Sequence, residues 1–240
     1  MRFLLFLIVS VLIATASLAA SSSSIEVSAA IQDLVPTVQA ASLAKTYPVD
    51  KPIRWKLRAP SGTQTPGVFV FISAREFGDP PSEWIPLLDE RNLLWISACD
   101  FGNLKPTAQR VLAALMGLAY AQREYPIDQH RVYVAGMSGG GRVASKVITK
   151  FPRLFNGAIF MGGADAWEES ETSLVPEIVK NRYVFITGSN DFNRREIRTV
   201  LEQYQSAGVS QSYLIDLPHF GHRLPGANAL RNALIYLDGT

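Results

Sequence analysis

From residue 51 onward, short apolar runs alternate with longer segments in which apolar residues recur at helical spacing. Val68–Ile72 and Leu93–Ala98 are apolar almost throughout, which is typical of strands buried on both faces of a sheet. Pro106–Glu124 has helical spacing and ends before Pro126, as a helix should. The same criteria predict further strands at 53–57, 131–135, 157–161, 183–187 and 212–217, further helices at 139–150, 192–206 and 226–237, and a short polar helix or loop at 171–180. This alternation predicts an α/β fold, with a mostly parallel central sheet and helices on both faces.

The N-terminus has the pattern of a secretory signal peptide. Arg2 precedes an apolar run that begins at Phe3 and continues to Ile13, and small residues then lead to Ala19. This pattern predicts that residues 1–19 are removed and that the protein is secreted or periplasmic. The alternative is a retained membrane anchor, because the apolar run is near the shortest length that crosses a bilayer. The small residues favour cleavage, and the sequence that follows has no run long enough to span a membrane.

The rest of the chain is predicted to form one domain. Residues 20–50 are rich in Ser and Ala without a strong period, which predicts a flexible lead-in with one short helix at most, and residues 51–240 form the domain itself. Hydrophobic residues make up 48% of the chain and charged residues 18%, as in a globular protein. The sequence carries no feature that fixes the oligomeric state.

Charge and cysteine content exclude several classes of function. The net charge is only +2, and no basic stripe is interleaved with aromatic residues, so nucleic acid is not an expected partner. Cys99 is the single cysteine, which excludes an intramolecular disulfide and a cysteine-based zinc site. Nothing in the sequence indicates a metal or another cofactor.

A candidate nucleophile lies in the run Gly136-Met137-Ser138-Gly139-Gly140. The pattern Gly-x-Ser-x-Gly is short, but here a predicted strand leads into it and a predicted helix leads out of it. That is the setting of a nucleophile elbow, in which a sharp turn lifts the Ser hydroxyl clear of the sheet. The amide of Gly139, at the N-terminus of the helix, would face a developing oxyanion. There are two alternatives. A phosphate-binding loop is disfavoured because no Gly-Lys-Ser/Thr follows, and a plain structural turn remains open.

A serine nucleophile needs a base to accept its proton. His130 precedes the strand that leads to Ser138 and would lie at the opposite end of it, whereas His219 and His222 follow the last predicted strand. We favour His222, because the preceding Gly221 lets the loop fold back toward Ser138. His219 is interpreted as a residue of the pocket rim.

The base in turn needs a carboxylate that orients it and stabilises its cationic form. Asp191 follows the predicted strand 183–187, and Asp165, which follows the strand before it, is the second candidate. The order Ser138, Asp191, His222 is that of α/β-hydrolases.

The remaining candidates concern the oxyanion and the pocket. The loop Ser73–Gly78 follows a predicted strand and should supply the second oxyanion donor, either the amide of Ala74 or that of Arg75. Without a large insertion, the site is expected to be open or shallow. The residues expected to line it are Asp100, Phe101, Trp167 and His219.

Several stretches together resemble one family. The segment 127–142, with Phe151-Pro152, 155–158, 188–191 and Gly221-His222, resembles the secreted esterase branch of the α/β-hydrolases, which includes poly(3-hydroxyalkanoate) depolymerases and feruloyl and acetylxylan esterases. The resemblance covers roughly residues 65–238. It implies the α/β-hydrolase fold, a catalytic domain over residues 51–240, and hydrolysis of a small-molecule or polymeric ester through an acyl-enzyme. The chain departs from the better-known members because its oxyanion loop lacks the His-Gly pair and it has no disulfide cysteines.

Two other functions remain open at this point. A serine peptidase on the same scaffold would use the same Ser, His and Asp groups. A catalytically inactive, polymer-binding protein is the alternative from another class, and the intact set Ser138, Asp191 and His222 argues against it.

Overall fold

The computed structural model of the protein describes residues 23–239, so the predicted signal peptide lies outside the described residues. Eight strands within this range form one sheet in the order β1-β2-β4-β3-β5-β6-β7-β8. The pairs β1–β2 and β2–β4 are antiparallel and all others are parallel, which confirms the prediction of a mostly parallel sheet. The strands are β1 (Ile25–Ala29), β2 (Ile53–Arg58), β3 (Gly67–Ile72), β4 (Leu93–Ala98), β5 (Val132–Met137), β6 (Gly157–Met161), β7 (Arg182–Asn190) and β8 (Ser212–Gly221).

Helices cover both faces of the sheet. They are α1 (Ile31–Leu34), α2 (Thr37–Leu43), α3 (Ile85–Glu90), α4 (Thr107–Glu124), α5 (Gly139–Lys150), α6 (Val175–Ile178), α7 (Arg194–Ser206) and α8 (Ala227–Asp238), with 3₁₀ turns at Ser82–Trp84, Pro152–Leu154 and Glu169–Leu174. Across residues 23–239, no helix combines the length and the apolar character needed to cross a bilayer.

The continuous apolar pattern of the central strands follows from this two-sided covering. In β3, Val68, Val70 and Ile72 pack into the core that contains α4, α5 and α7. Phe69 and Phe71 point the other way, into the core that contains α3 and α8. Because successive side chains of a strand alternate between faces, a strand buried on both faces must be apolar at every position.

The segment 23–50 differs from the expected flexible lead-in. Its residues 25–29 form β1, which pairs with β2 over five positions, and α1 and α2 follow. Ile31 is fully buried and Ala40 is 3% exposed, so the segment contributes to the core. β1 lies at the sheet edge and exposes Ile25, so it carries little of the apolar pattern that marks a strand. Its pairing depends on β2, more than twenty residues away along the chain.

A buried ion-pair cluster joins the end of α8 to the start of β5. The Asp238 side chain is 7% exposed and accepts hydrogen bonds from Arg131 Nε at 2.8 Å, from the Tyr133 hydroxyl at 2.8 Å, and from Arg91. Burial opposes ionisation of this carboxyl, yet the hydrogen bonds outweigh it and hold its pKa below the ordinary value. The carboxylate is therefore ionised in the folded protein, and its partners depend on that charge.

We expect Asp238→Asn to lower the free energy of unfolding by about 3 kcal/mol, because removing one partner leaves buried charges uncompensated. Equilibrium unfolding in urea measures this, with the exposed Asp50→Asn as the matched control. The lowered pKa means that the stabilisation is fully present above the unfolded-state pKa of about 3.9 and is lost as the pH falls through the folded pKa. Wild-type stability should therefore fall more steeply in acid than that of the variant. Equal stability of Asp238→Asn and Asp50→Asn at pH 7 would contradict this role.

Candidate active site

Ser138 lies in a sharp turn between the end of β5 and the start of α5. Its backbone angles are φ 57° and ψ −122°, a region that a residue with a side chain rarely adopts. Small neighbours are required by the packing around it. A Cβ at Gly136 would lie 2.3 Å from the carbonyl oxygen of Gly140, and a Cβ at Gly140 would lie 1.9 Å from that of Ile72. These contacts are the physical reason for glycines on both sides of the serine.

Ser138, Asp191 and His222 follow β5, β7 and β8, which are parallel, so the three residues meet at the same edge of the sheet. The His222 Nε2 and Ser138 Oγ atoms are 2.8 Å apart, and the His222 Nδ1 and Asp191 Oδ1 atoms are 2.9 Å apart. An ionised carboxylate only accepts hydrogen bonds, so Nδ1 donates to Asp191. Nε2 of the neutral ring is then the acceptor for the Ser138 hydroxyl.

The Asp191 carboxylate is held from a second side. Its side chain is 2% exposed, and its Oδ1 also accepts the Asn193 amide at 2.8 Å. The Asn193 side chain donates to the Gly162 carbonyl at 2.8 Å. Gly162 itself has φ +54°, and a Cβ there would lie 2.9 Å from Asp191 Oδ2 and 3.1 Å from His222 Nδ1. Glycine at the end of β6 therefore leaves the space that the Asp–His pair occupies.

The other candidates for base and acid lie apart from this cluster. His219 is exposed within β8, and its backbone amide donates to Ser189 Oγ at 2.8 Å. Asp165 forms an ion pair with Lys146 at 3.3 Å. His130 precedes β5, at the end of that strand opposite Ser138. The structure brings Ser138, His222 and Asp191 together and leaves these alternatives out.

A cleft of about 430 Å³ opens beside Ser138 and His222. Its walls are mainly apolar, and charged side chains lie at its rim. Phe77 is 74% exposed and Leu224 is 36% exposed, so the cleft is open, as the sequence predicts. The predicted oxyanion residues Ala74 and Arg75 also line it. The other lining residues are Phe71, Ser73, Asp79, Pro81, Met137 and Arg223.

The four residues predicted to line the pocket are absent from these walls, and that prediction is wrong. Asp100 forms an ion pair with Arg54, and Phe101 is buried and packs on Tyr47 with ring centroids 5.7 Å apart. The loop after β4 is bonded to the loop Ser73–Gly78, since the Asp100 amide donates to the Glu76 carbonyl at 2.9 Å.

Trp167 and His219 lie outside the walls of the cleft for different reasons. The Trp167 ring packs against Tyr204 of α7, with centroids 4.9 Å apart, so it covers the core rather than Ser138. β8 extends to Gly221, beyond its predicted end at residue 217. His219 lies where the pairing of β8 with β7 is irregular, its backbone amide donates to Ser189 Oγ, and its side chain is exposed.

The sequence analysis overlooked two side chains at this site. The Phe192 ring lies over His222 with centroids 4.1 Å apart and is 77% exposed; its position directly after Asp191 was the available signal. Arg110 is 5% exposed and donates to backbone carbonyls around Ser138. The sequence signal for Arg110 was a charged residue on the otherwise apolar face of a predicted helix. Among the described side chains, which exclude those of residues 169–171, no group of three or more His, Cys, Asp or Glu is arranged to hold a metal ion.

Several solved structures of similar fold are hydrolases. A ferulic acid esterase matches with a TM-score of 0.65 over 89% of this chain and 98% of its own, at 12% identity. S-formylglutathione hydrolase from Staphylococcus aureus matches with a TM-score of 0.62 over 89% and 98%, at 12% identity. A thermostable esterase matches with a TM-score of 0.57 over 70% of this chain at 18% identity, and this chain spans about half, 52%, of that esterase. No protein-family model matches the sequence, and neither does any curated protein. With the sheet order, these structures confirm the predicted α/β-hydrolase fold.

Proposed function

We propose that the protein is a serine hydrolase of the carboxylesterase type, with Ser138 as nucleophile, His222 as base and Asp191 as the orienting acid. The observation that carries the proposal is the continuous hydrogen-bond chain from Ser138 Oγ through the imidazole to Asp191, at 2.8 and 2.9 Å. A nucleophile bonded to a base that a third group orients is the constellation of covalent acyl transfer. The fold shared with esterases supports it further.

The reaction takes two steps. Ser138 Oγ attacks the ester carbonyl carbon while His222 Nε2 takes the hydroxyl proton, and the tetrahedral adduct collapses when that proton passes to the leaving alcohol. Water then attacks the acyl carbon while the imidazole takes one of its protons. When this second tetrahedral adduct collapses, the imidazolium returns the proton to Ser138 Oγ and the carboxylic acid is released. Asp191 stays ionised throughout and stabilises the imidazolium. The Gly139 amide and an amide of the loop 73–75 stabilise the oxyanion.

The cleft favours an ester with an apolar acyl group. Phe71, Phe77, Pro81, Met137 and Leu224 supply its apolar surface, and burying such a group there gains roughly 25 cal/mol per Å². The open shape is compatible with a small ester and with one end of a polymeric ester. We further propose, from the pattern of residues 1–19, that the protein is exported and works outside the cytoplasm as a secreted or periplasmic enzyme.

Reaction of the purified protein with a fluorophosphonate probe tests the proposal. We expect covalent labelling at Ser138, located by peptide mass spectrometry, together with hydrolysis of p-nitrophenyl acetate and butyrate. A parallel panel of aminoacyl and peptidyl p-nitroanilides tests peptidase activity. Faster turnover of these amides than of the esters would assign the site to a serine peptidase. Absence of both labelling and turnover would instead favour a catalytically inactive binding protein.

A further inference from the structure

Arg110 is a buried cation beside the proposed oxyanion hole. It lies on α4 and is 5% exposed, and in the described part of the chain it forms no ion pair with a carboxylate. Its guanidinium donates instead to three backbone carbonyls: Nε to Phe101 at 3.0 Å, Nη1 to Gly139 at 3.2 Å and Nη2 to Ser73 at 2.9 Å. Burying a charge is costly unless it is hydrogen-bonded, and these three bonds offset that cost. Because the guanidinium is planar and rigid, they also fix the loop after β4, the start of α5 and the loop after β3 relative to one another.

The bond to the Ser73 carbonyl determines where the next amide points. The Ser73–Ala74 peptide is planar and trans, so its C=O and N–H point in opposite directions. With the carbonyl directed at Arg110, the Ala74 N–H is directed away from Arg110, and Ala74 lines the same cleft as Ser138. A donor to the carbonyl also polarises the peptide and strengthens its N–H as a donor.

Of the two amides predicted as the second oxyanion donor, those of Ala74 and Arg75, the Ala74 amide is the free one. The Arg75 N–H donates to Ser73 Oγ at 3.0 Å and is therefore already engaged. The Ala74 N–H meets no acceptor among the described residues, while the Ala74 carbonyl accepts the Asn103 amide at 3.0 Å. The carbonyls on both sides of the Ala74 N–H, those of Ser73 and Ala74, therefore accept hydrogen bonds, while this N–H keeps no partner in the described part of the chain.

We propose that Arg110 is a positioning residue that aims the Ala74 N–H, so that Ala74 and Gly139 together form the oxyanion hole. The proposal rests on the proposed hydrolase function. Arg110 does not touch the substrate; it acts through the Ser73–Ala74 peptide on one side and through the Gly139 carbonyl, in the first turn of α5, on the other. The developing oxyanion would experience two preorganised donors, and the fixed positive charge behind the loop would stabilise it further.

Steady-state kinetics of Arg110→Met and Arg110→Lys on p-nitrophenyl butyrate test the proposal. We expect Arg110→Met to lower kcat by about 10²- to 10³-fold, the effect of losing one oxyanion donor, while KM changes by less than about threefold. A trifluoromethyl ketone, which forms a tetrahedral adduct with the nucleophile, should lose affinity by a similar factor. Arg110→Lys should recover part of kcat, because it keeps the charge and some donors. Arg58→Met is the matched control, since Arg58 is 3% exposed and pairs with Asp89 instead.

The outcomes separate this proposal from the underlying function. A wild type that hydrolyses no ester would overturn the hydrolase proposal itself. If the wild type is active, the Arg110→Met variant decides the role of Arg110. That role is contradicted if kcat and inhibitor affinity in Arg110→Met stay near wild type, or fall no further than in Arg58→Met. If Arg110→Met does not fold, Arg110→Lys decides, since wild-type kcat in that variant contradicts the proposal.

Replacing the Ala74 amide with an ester, by incorporating lactic acid at position 74, removes the N–H and keeps the methyl side chain. It should lower kcat by the same factor as Arg110→Met. The same replacement at position 75, compared with Arg75→Ala, should have little effect on kcat. The reverse order of effects would assign the donor to Arg75 and contradict the proposal.

Discussion

Ser138→Ala should lower kcat for p-nitrophenyl butyrate by about 10⁶-fold, because the serine, the base and the acid act as a unit and no other hydroxyl can form the acyl-enzyme. A residual acceleration of 10³- to 10⁴-fold over water is expected, since the oxyanion hole and substrate binding remain. Burst kinetics and steady-state rates at matched protein concentration measure the loss.

The control for this variant is Ser206→Ala, which removes an exposed hydroxyl at the end of α7. It should hydrolyse the ester at the wild-type rate. The midpoint of thermal unfolding of Ser138→Ala should stay near that of the wild type, because no core contact is lost. Activity within tenfold of wild type in a folded Ser138→Ala protein would exclude this serine as the nucleophile.

His222→Ala should lower kcat by a comparable factor, about 10⁶-fold, because the Ser138 hydroxyl then has no group to take its proton. His219→Ala, three positions earlier and exposed on β8, should keep wild-type kcat and so serves as the matched control. The double variant Ser138→Ala/His222→Ala should be hardly slower than either single one, as expected of groups that act together. A large loss of activity in His219→Ala, with His222→Ala near wild type, would exchange the two roles.

The three proposed catalytic residues could be selected from the sequence because their placement depends on local rules. A Ser between glycines, with a strand before it and a helix after it, predicts the turn that the structure has at residue 138. Asp191 and His222 follow predicted parallel strands, and parallel strands bring their carboxyl ends to one edge of the sheet. Strand ends could be misjudged by several residues, as in β8, without changing that edge.

The lining of the pocket could not be predicted in the same way. Asp100 and Phe101 follow β4 at the expected edge, yet the Asp100 amide is bonded to the Glu76 carbonyl and neither residue lines the cleft. Trp167 packs on Tyr204, which lies on a helix further along the chain. Loop paths are set by partners distant in sequence, and periodicity carries no information about them.

The sequence by itself determined most of the strands and helices from β2 onward, the mostly parallel sheet and the choice of Ser138, Asp191 and His222. These follow from periodicity and from the polarity of parallel strands. Only the tertiary structure decided that residues 25–29 join the sheet as β1, which side chains face the cleft, and that the Arg75 amide is engaged while the Ala74 amide is free. The difference is physical. An edge strand forms only when it pairs with its neighbour, as β1 does with β2. Whether an amide is free or engaged depends on which acceptors folding brings within reach of it.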